Sequence, residues 1–229
     1  MEENENKDAV VNTDEFKQET VKTAQEVKET FKNVDIKNDA KATTGFIKEM
    51  FKNPLGRIHD IAEDSSHKDF KFAILLVIVW MIVVGILNLT GYHSFESFFK
   101  YNVGDHILSL IKTLIAPLLG LVVMSAIIFV MNKKNKKSFI TVFTALTAAK
   151  IPTIIARVLY LLTLISSSMS KILSPISSFA YVISVVLTFF AIKSLYGEED
   201  NSKFLKTFVI IEAIYYVAYF IISYLQIYI

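Results

Sequence analysis

The chain divides into a polar N-terminal part and a longer C-terminal part in which apolar runs alternate with short polar segments. A helix needs about 20 mostly apolar residues to cross roughly 30 Å of hydrocarbon. Five stretches approach or exceed that length, and the first holds no charged residue. The predicted spans cover about 72–90, 107–131, 138–165, 176–195 and 204–228. The pattern therefore predicts an all-α fold: a polytopic membrane bundle of five transmembrane helices (71–229) preceded by an N-terminal arm.

Composition and charge support this division. Of the 229 residues, 53% are hydrophobic, the mean hydropathy is +0.45, and no cysteine is present. Residues 1–70 hold 11 basic and 16 acidic side chains, a net charge of −5, whereas residues 71–229 hold 13 and 6, a net charge of +7. The lack of cysteine excludes a disulfide framework, a thiolate metal site and a cysteine nucleophile.

Lysine and arginine collect in three segments: before the first span, between the second and third, and between the fourth and fifth. The positive-inside rule places all three in the cytoplasm, so we expect a cell-membrane protein with its N-terminus inside and its C-terminus outside. The second segment contains a cluster of Lys133, Lys134, Lys136 and Lys137. This cluster is a candidate contact for anionic lipid. Because orientation alone predicts it, we infer no nucleic-acid binding.

The first 45 residues form an acidic arm that is too polar to bury a core of its own. We interpret it as disordered or as a fraying helix. Alternatively, it serves as a docking helix for a cytoplasmic protein partner, because one thin apolar stripe recurs at helical spacing. The stripe consists of Thr20, Ala24, Val27, Phe31 and Val34.

Residues 46–70 predict two short amphipathic helices. The first has an apolar face of Phe46, Ile47, Met50 and Phe51. Asn53 as N-cap and Pro54 at the helix start begin the second. Its apolar residues are Leu55, Ile58 and Ile61. Flanking Lys48, Lys52 and Arg57 favour interfacial helices in the headgroup layer. Packing against the cytoplasmic ends of the spans is a compatible alternative.

Ionisable groups inside the spans require an explanation, because each costs about 2.5–3.5 kcal/mol at bilayer depth. Lys150 lies roughly 18 Å and Glu212 roughly 12 Å from the cytoplasmic side, at about 1.5 Å per residue. We therefore predict a Lys150–Glu212 ion pair or a shared polar pocket. Pro152 should kink or break the third helix. Arg157 is a candidate member of the pocket, but it lies toward the outer face, where its aliphatic stem would alternatively let the charge reach the outer headgroups. The pocket either locks two helices together or serves a ligand, ion or proton pathway.

The sequence carries no motif for catalysis or phosphate binding, and its four histidines lie outside the predicted spans. We therefore expect no enzyme, no metal site and no cofactor. Two functions remain: a scaffold or adaptor that offers its arm to partners, or a small permease or channel component built around Lys150, Pro152 and Glu212. Membrane lipids are expected partners, and self-association into a homo-oligomer is left open.

Two short motifs add a family resemblance. The segment before the first span has the form F-x-x-x-x-F-x-N-P, with Phe46, Phe51, Asn53 and Pro54, and the third span contains Lys150-Ile151-Pro152. With five spans, this resembles the Ypt-interacting-protein (YIP) family, specifically its bacterial members, over about residues 46–228. Eukaryotic members are implicated in vesicle trafficking and in binding Rab-type GTPases. Their Asp-Leu-Tyr-Gly-Pro-like segment is missing here, and its nearest counterpart, residues 194–198, lies between spans four and five. The resemblance thus implies a non-enzymatic polytopic membrane protein.

Overall fold

The computed structural model describes residues 13–32, 36–90, 103–132, 135, 137–198 and 200–228. Within these ranges the chain is helical, and no strand occurs. The helices are α1 (Thr13–Lys32), α2 (Ile36–Lys52), α3 (Pro54–Glu63), α4 (Phe70–Thr90), α5 (Val103–Met131), α6 (Phe139–Ala149), α7 (Ile151–Tyr160), α8 (Ser170–Tyr196) and α9 (Asn201–Tyr228). Two short 3₁₀ turns, Leu161–Leu164 and Ser167–Met169, connect α7 to α8.

Four segments are long and apolar enough to cross a membrane. They are Phe70–Leu89, Ile107–Met131, Ser167–Tyr196 and Asn201–Ile222. The helices α6 and α7 meet at an angle of 49° and make a fifth crossing if the bent pair counts as one span. The predicted all-α polytopic bundle is therefore confirmed. The predicted third span is not one straight helix.

The half-span α6 lies at the centre of the bundle. Every residue from Ile140 to Ala149 is buried, and the helix contacts α3, α4, α5 and α8. Its threonine hydroxyls bond within the same helix. The hydroxyls of Thr144 and Thr147 donate to the carbonyls of Ile140 and Phe143, each at 2.8 Å. Hydroxyls satisfied along their own helix can be buried without an unpaired donor.

The amphipathic helices pack at one end of the bundle. There α3 lies against α6 and α8, and α2 lies against α3 and α4. We call this end, where α4, α6 and α9 begin and α5 and α8 finish, the arm end. Asn53 caps α3 by accepting a hydrogen bond from the Gly56 amide at 3.1 Å, with Pro54 in the first turn. This is the helix start that these two residues predict.

Two apolar residues depart from the predicted buried faces. Phe46 and Met50 of α2, and Ile58 and Ile61 of α3, are buried in the core, together with Ala62. Phe51 is 61% exposed and Leu55 is 45% exposed. α2 ends at Lys52 and α3 begins at Pro54, so Phe51 and Leu55 lie on either side of this junction, which we call the corner. These two side chains therefore sit at the outside of the corner.

The arm is helical over most of its length. Residues 13–32 and 36–45 belong to α1 and α2, so the described part of the arm is helical. Side chains tie both helices to the bundle: Glu26 contacts His67, and the Lys71 ammonium donates to the Asp39 carboxylate at 2.7 Å. Of the predicted apolar stripe, Val27 packs against the core and Ala24 is exposed; Val34 lies outside the described residues.

Candidate functional site

The third span is interrupted at Lys150, two residues before the proline that predicts a break. Lys150 ends α6 and precedes α7, and its amide donates to the carbonyls of Leu146 (3.2 Å) and Thr147 (3.0 Å). Pro152 lies in the first turn of α7. Proline is favourable there because it needs no amide partner, whereas in a continuous helix its ring would collide with the carbonyl of Ala148.

A serine from the neighbouring span accepts hydrogen bonds from the first turn of α7. The Thr153 amide and hydroxyl both donate to Ser184 Oγ, at 3.2 Å and 2.9 Å. Ser184 is on α8 and is fully buried. Backbone polar groups freed by a break within a membrane need such a partner, because no water is available in hydrocarbon. The sequence analysis missed Ser184, because nothing in the apolar pattern of α8 distinguishes it from the other serines there.

Lys150 and Glu212 lie close enough to interact electrostatically. Both side chains are partly buried, Lys150 at the break and Glu212 on α9. Among the described residues neither takes part in an ion pair with nitrogen and oxygen within 4.0 Å. The structure thus places the two predicted charges near each other without direct contact.

Aromatic residues border Glu212 along α9. The rings of Tyr215 and Tyr216 are 5.7 Å apart, and Tyr219 lies one turn further on. The Tyr215 hydroxyl approaches α5 at Gly120, where an added Cβ would lie 3.1 Å from the oxygen. Glycine at this position therefore allows α9 to approach α5 closely.

Arg157, the remaining member of the predicted pocket, is exposed on α7. It lies about two helical turns beyond Lys150, or roughly 10 Å at 1.5 Å per residue. The structure brings Lys150, Pro152 and Glu212 to one region, and it leaves Arg157 at the surface of the bundle.

Of the four predicted lipid-binding lysines, Lys137 pairs with an acidic residue of α3. Lys133, Lys134 and Lys136 lie outside the described residues. The Lys137 ammonium donates to a carboxylate oxygen of Glu63 on α3 at 2.9 Å. Two asparagines of this segment hold the end of α8: Asn132 Nδ2 donates to the Leu195 carbonyl at 2.8 Å, and Asn135 Nδ2 donates to the Tyr196 carbonyl. At least one of the four lysines thus has a protein partner.

A second polar cluster, which the sequence analysis did not identify, lies at the arm end. Arg57 Nη2 of α3 donates to Asp69 Oδ2 at 2.7 Å, and Arg57 Nε lies 3.2 Å from Glu49 Oε2. The guanidinium also lies over the Phe46 ring, 5.3 Å from its centroid. Burial raises the pKa of the Asp69 carboxyl, and the Arg57 charge opposes that shift. The cluster joins α2 and α3 to the residue that precedes α4.

The candidate spans, the buried half-helix α6 and the apolar outer surfaces define a polytopic helical membrane protein. The chain belongs to the Yip1 domain family, whose model matches residues 48–225. The match begins in α2 and extends into α9, so it includes the amphipathic helices, the break at Lys150 and Glu212. It leaves α1 outside. The family is not known as one of enzymes. No curated protein and no solved structure matches the chain.

Proposed function

We propose that this protein is a non-enzymatic scaffold of the cell membrane that presents its N-terminal arm to a cytoplasmic protein partner. The observation that carries the proposal is the position of α1. One side of α1 is held on the bundle through Glu26, while the opposite side is exposed to solvent. This exposed face includes Lys17, Val21, Ala24, Lys28 and Lys32, and the adjoining Gln18, Lys22, Gln25 and Glu29 are exposed as well.

The spacing of these residues supports a single recognition surface. Positions 17, 21, 24, 28 and 32 follow the 4-3-4-4 spacing that places side chains on one face of a helix. Val21 is 59% exposed, and on this face Lys17 lies one turn before it and Lys28 two turns after it. A small apolar centre with a positive rim fits a partner that offers a hydrophobic side chain bordered by carboxylates.

The distribution of basic residues supports a cytoplasmic arm. Lys137, Lys193 and Lys203 belong to segments at the arm end, as do Arg57 and Lys71. Since positively charged loops are retained in the cytoplasm, this end faces inward in the proposal. With the bent pair counted as one span, the C-terminus lies on the other side.

Cross-linking in native membranes tests the proposal. Three proteins are compared: the full chain, a chain lacking residues 1–45, and a triple variant of the arm face, Lys17→Glu, Val21→Asp and Lys28→Glu. A matched control carries Lys203→Glu and Lys206→Glu, two exposed lysines at the same end. We expect a partner that co-purifies with the full chain and the control but is lost from the other two. Equal recovery of every partner from all four proteins would contradict the proposal.

A second candidate function is a small permease or channel component. It is favoured by the break at Lys150, because interrupted helices with charged residues form ion and substrate sites in transporters. Lys150 and Glu212 are both half-buried and form no direct ion pair within the described part of the chain, so each keeps a charged group available for a transported ion or proton. Proton flux into pyranine-loaded liposomes provides a direct test. Transport predicts a flux that Glu212→Gln abolishes, whereas a scaffold predicts no flux and unchanged arm cross-links in that variant.

A further inference from the structure

His67 lies where the arm, the start of α4 and the start of α6 meet. Its backbone has φ of +54°, in the left-handed region that non-glycine residues seldom adopt. Such conformations persist where the surroundings hold them in place, and they often occur at functional positions. The surroundings here are two hydrogen bonds to the imidazole ring.

Each ring nitrogen has a partner on a different helix. Nδ1 lies 2.9 Å from Glu26 Oε2 of α1, and Nε2 lies 2.8 Å from Ser138 Oγ. Ser138 is the N-cap of α6 and accepts a hydrogen bond from the Thr141 amide at 3.1 Å. A single side chain therefore connects the arm to the cap of the buried half-span.

Both protonation states of His67 fit this geometry. A carboxylate only accepts hydrogen bonds, so Nδ1 carries a proton in either state. In the neutral ring, Nε2 accepts from the Ser138 hydroxyl. In the charged ring, Nε2 donates to Ser138 Oγ, and the hydroxyl hydrogen can turn toward Thr141 Oγ1, 3.0 Å away. Protonation therefore changes the charge opposite Glu26 without losing a hydrogen bond.

The other charges around His67 nearly balance. A polar cavity of about 500 Å³ lies beside the ring, between α1, α2 and the start of α4. Its charged lining, besides His67, comprises Lys22, Glu26, Glu29, Asp39, Lys68 and Lys71. Asp64 lies in the adjoining loop, hydrogen-bonded to Ser66. From α6 the ring meets the uncharged Ser138. The cavity holds three lysines and three carboxylates. Glu26 is the carboxylate bonded directly to His67, so it decides whether protonation of the ring strengthens or weakens the contact with α1.

We propose that His67 is a pH-dependent latch that holds α1 on the bundle. Protonation converts the Glu26–His67 hydrogen bond into an ion pair and strengthens docking of the arm. Loss of the proton as the pH rises weakens docking. Histidine is suited to this role because its charge changes between about pH 5 and 8. In the proposed function the latch controls how the arm is presented, but the latch itself requires no partner.

Distance measurement by pulsed electron paramagnetic resonance tests the latch directly. Because the chain has no cysteine, Val21→Cys and Lys203→Cys introduce two spin labels at defined exposed sites. The protein is reconstituted in nanodiscs of phosphatidylcholine and phosphatidylglycerol and measured at about pH 5.5 and about pH 8. We expect the ratio of docked to undocked arm to be about 2- to 5-fold higher at the lower pH, the range of one partly exposed ion pair.

Three variants separate the latch from other effects. Asn tolerates the left-handed backbone, so His67→Asn keeps the local conformation while removing the titrating ring. Glu26→Gln keeps a hydrogen-bond acceptor at the same position of α1 and removes its charge. Both should give the same docked ratio at the two pH values. His59→Gln, which alters an exposed histidine on α3, should retain the wild-type response.

Two results overturn the proposal: an equal docked ratio at both pH values in the unmodified protein, or a pH response that persists in Glu26→Gln. Neither outcome depends on a partner. Failure of the scaffold proposal, seen by cross-linking, is therefore distinguishable from failure of the latch.

Discussion

Arg57 and Asp69 form a buried ion pair, with 2.7 Å between Nη2 and Oδ2, that joins α3 to the residue preceding α4. Their side chains are 15% and 5% exposed. Removing one partner of such a pair leaves an uncompensated charge in the interior. The pair therefore fixes the amphipathic helices to the first span more firmly than exposed contacts could.

The first prediction follows from this pair. Arg57→Ala should lower the free energy of unfolding by about 3 kcal/mol, because Asp69 stays buried without its cation. The double variant Arg57→Met with Asp69→Leu should recover most of that loss. Thermal unfolding in detergent micelles measures both. Lys137→Ala is the control: it removes a pair whose acid is half exposed, and should cost less than about 1 kcal/mol. Equal losses in Arg57→Ala and Lys137→Ala would be incompatible with the prediction.

The second prediction concerns the start of α7. Ser184→Ala removes the acceptor of the Thr153 amide and hydroxyl, so we expect a loss of about 1–3 kcal/mol in the free energy of unfolding. Ser178→Ala, on the same helix, serves as control, because the exposed Ser178 hydroxyl bonds only to its own helix. Hydrogen exchange should also show faster exchange of the Thr153 amide in Ser184→Ala. Equal losses of stability in Ser184→Ala and Ser178→Ala would mean that a group other than Ser184 accepts the hydrogen bonds of Thr153.

The third prediction measures the coupling between Lys150 and Glu212. The single variants Lys150→Met and Glu212→Gln and their combination form a double-mutant cycle. Since the two charges interact without direct contact, we expect a favourable coupling of about 1 kcal/mol in stability. Lys150→Met combined with Lys206→Met, an exposed lysine on α9, should show additive effects. Additivity in the first cycle as well would show that the two charges act independently.

The fourth prediction concerns the apolar corner between α2 and α3. Phe46 packs on Phe72 in the first turn of α4, with 5.5 Å between ring centroids, so the end of α2 lies beside the start of the first candidate span. Phe51 and Leu55 project from this corner beside exposed Lys48 and Lys52, an arrangement that favours insertion among anionic headgroups. In a Trp80→Phe background, Phe51→Trp should be quenched by brominated lipid in phosphatidylglycerol vesicles.

Val21→Trp is the matched control for that experiment, because the two native residues are exposed to similar extents, 61% and 59%. We expect no quenching for Trp at position 21. Equal quenching, or none, at both positions would contradict the interfacial position of the corner.

The fifth prediction concerns pH. The Ser66 hydroxyl donates to Asp64 at 2.6 Å and lowers the pKa of that carboxyl. A carboxyl with a lowered folded-state pKa stabilises the fold above its ordinary pKa, and the contribution is lost as the pH falls through the lowered value. Ser66→Ala should raise the pKa of Asp64 toward the ordinary value. Carbon-13 titration of labelled aspartate measures the change, and an unaltered titration would show that the hydroxyl is not its main cause.

The sequence predicts the apolar spans well because their signal is local and continuous. It also predicts an interruption near Pro152, since proline's missing donor and ring collision are properties of a single residue. It does not predict that Ser184 satisfies the break, or that Arg57 meets Asp69. Those pairings depend on how helices pack, and a polar residue in the arm is equally compatible with solvent. Glu26 and His67 are 41 residues apart, and neither stands out from neighbouring charges.

The burial of α6 on every side has a consequence for how the protein is made. Because α6 is surrounded by protein, it has little surface that can contact lipid. In contrast, α9 is open to its surroundings: only 6% of the residues in its most apolar window are buried. During synthesis, α6 leaves the translocon before α8, one of the helices that will cover it, exists. Its threonines and the polar break at Lys150 then face lipid or the insertion machinery until α8 arrives. We therefore expect stable insertion of α6 and α7 to depend on α8, whose Ser184 accepts the hydrogen bonds of Thr153.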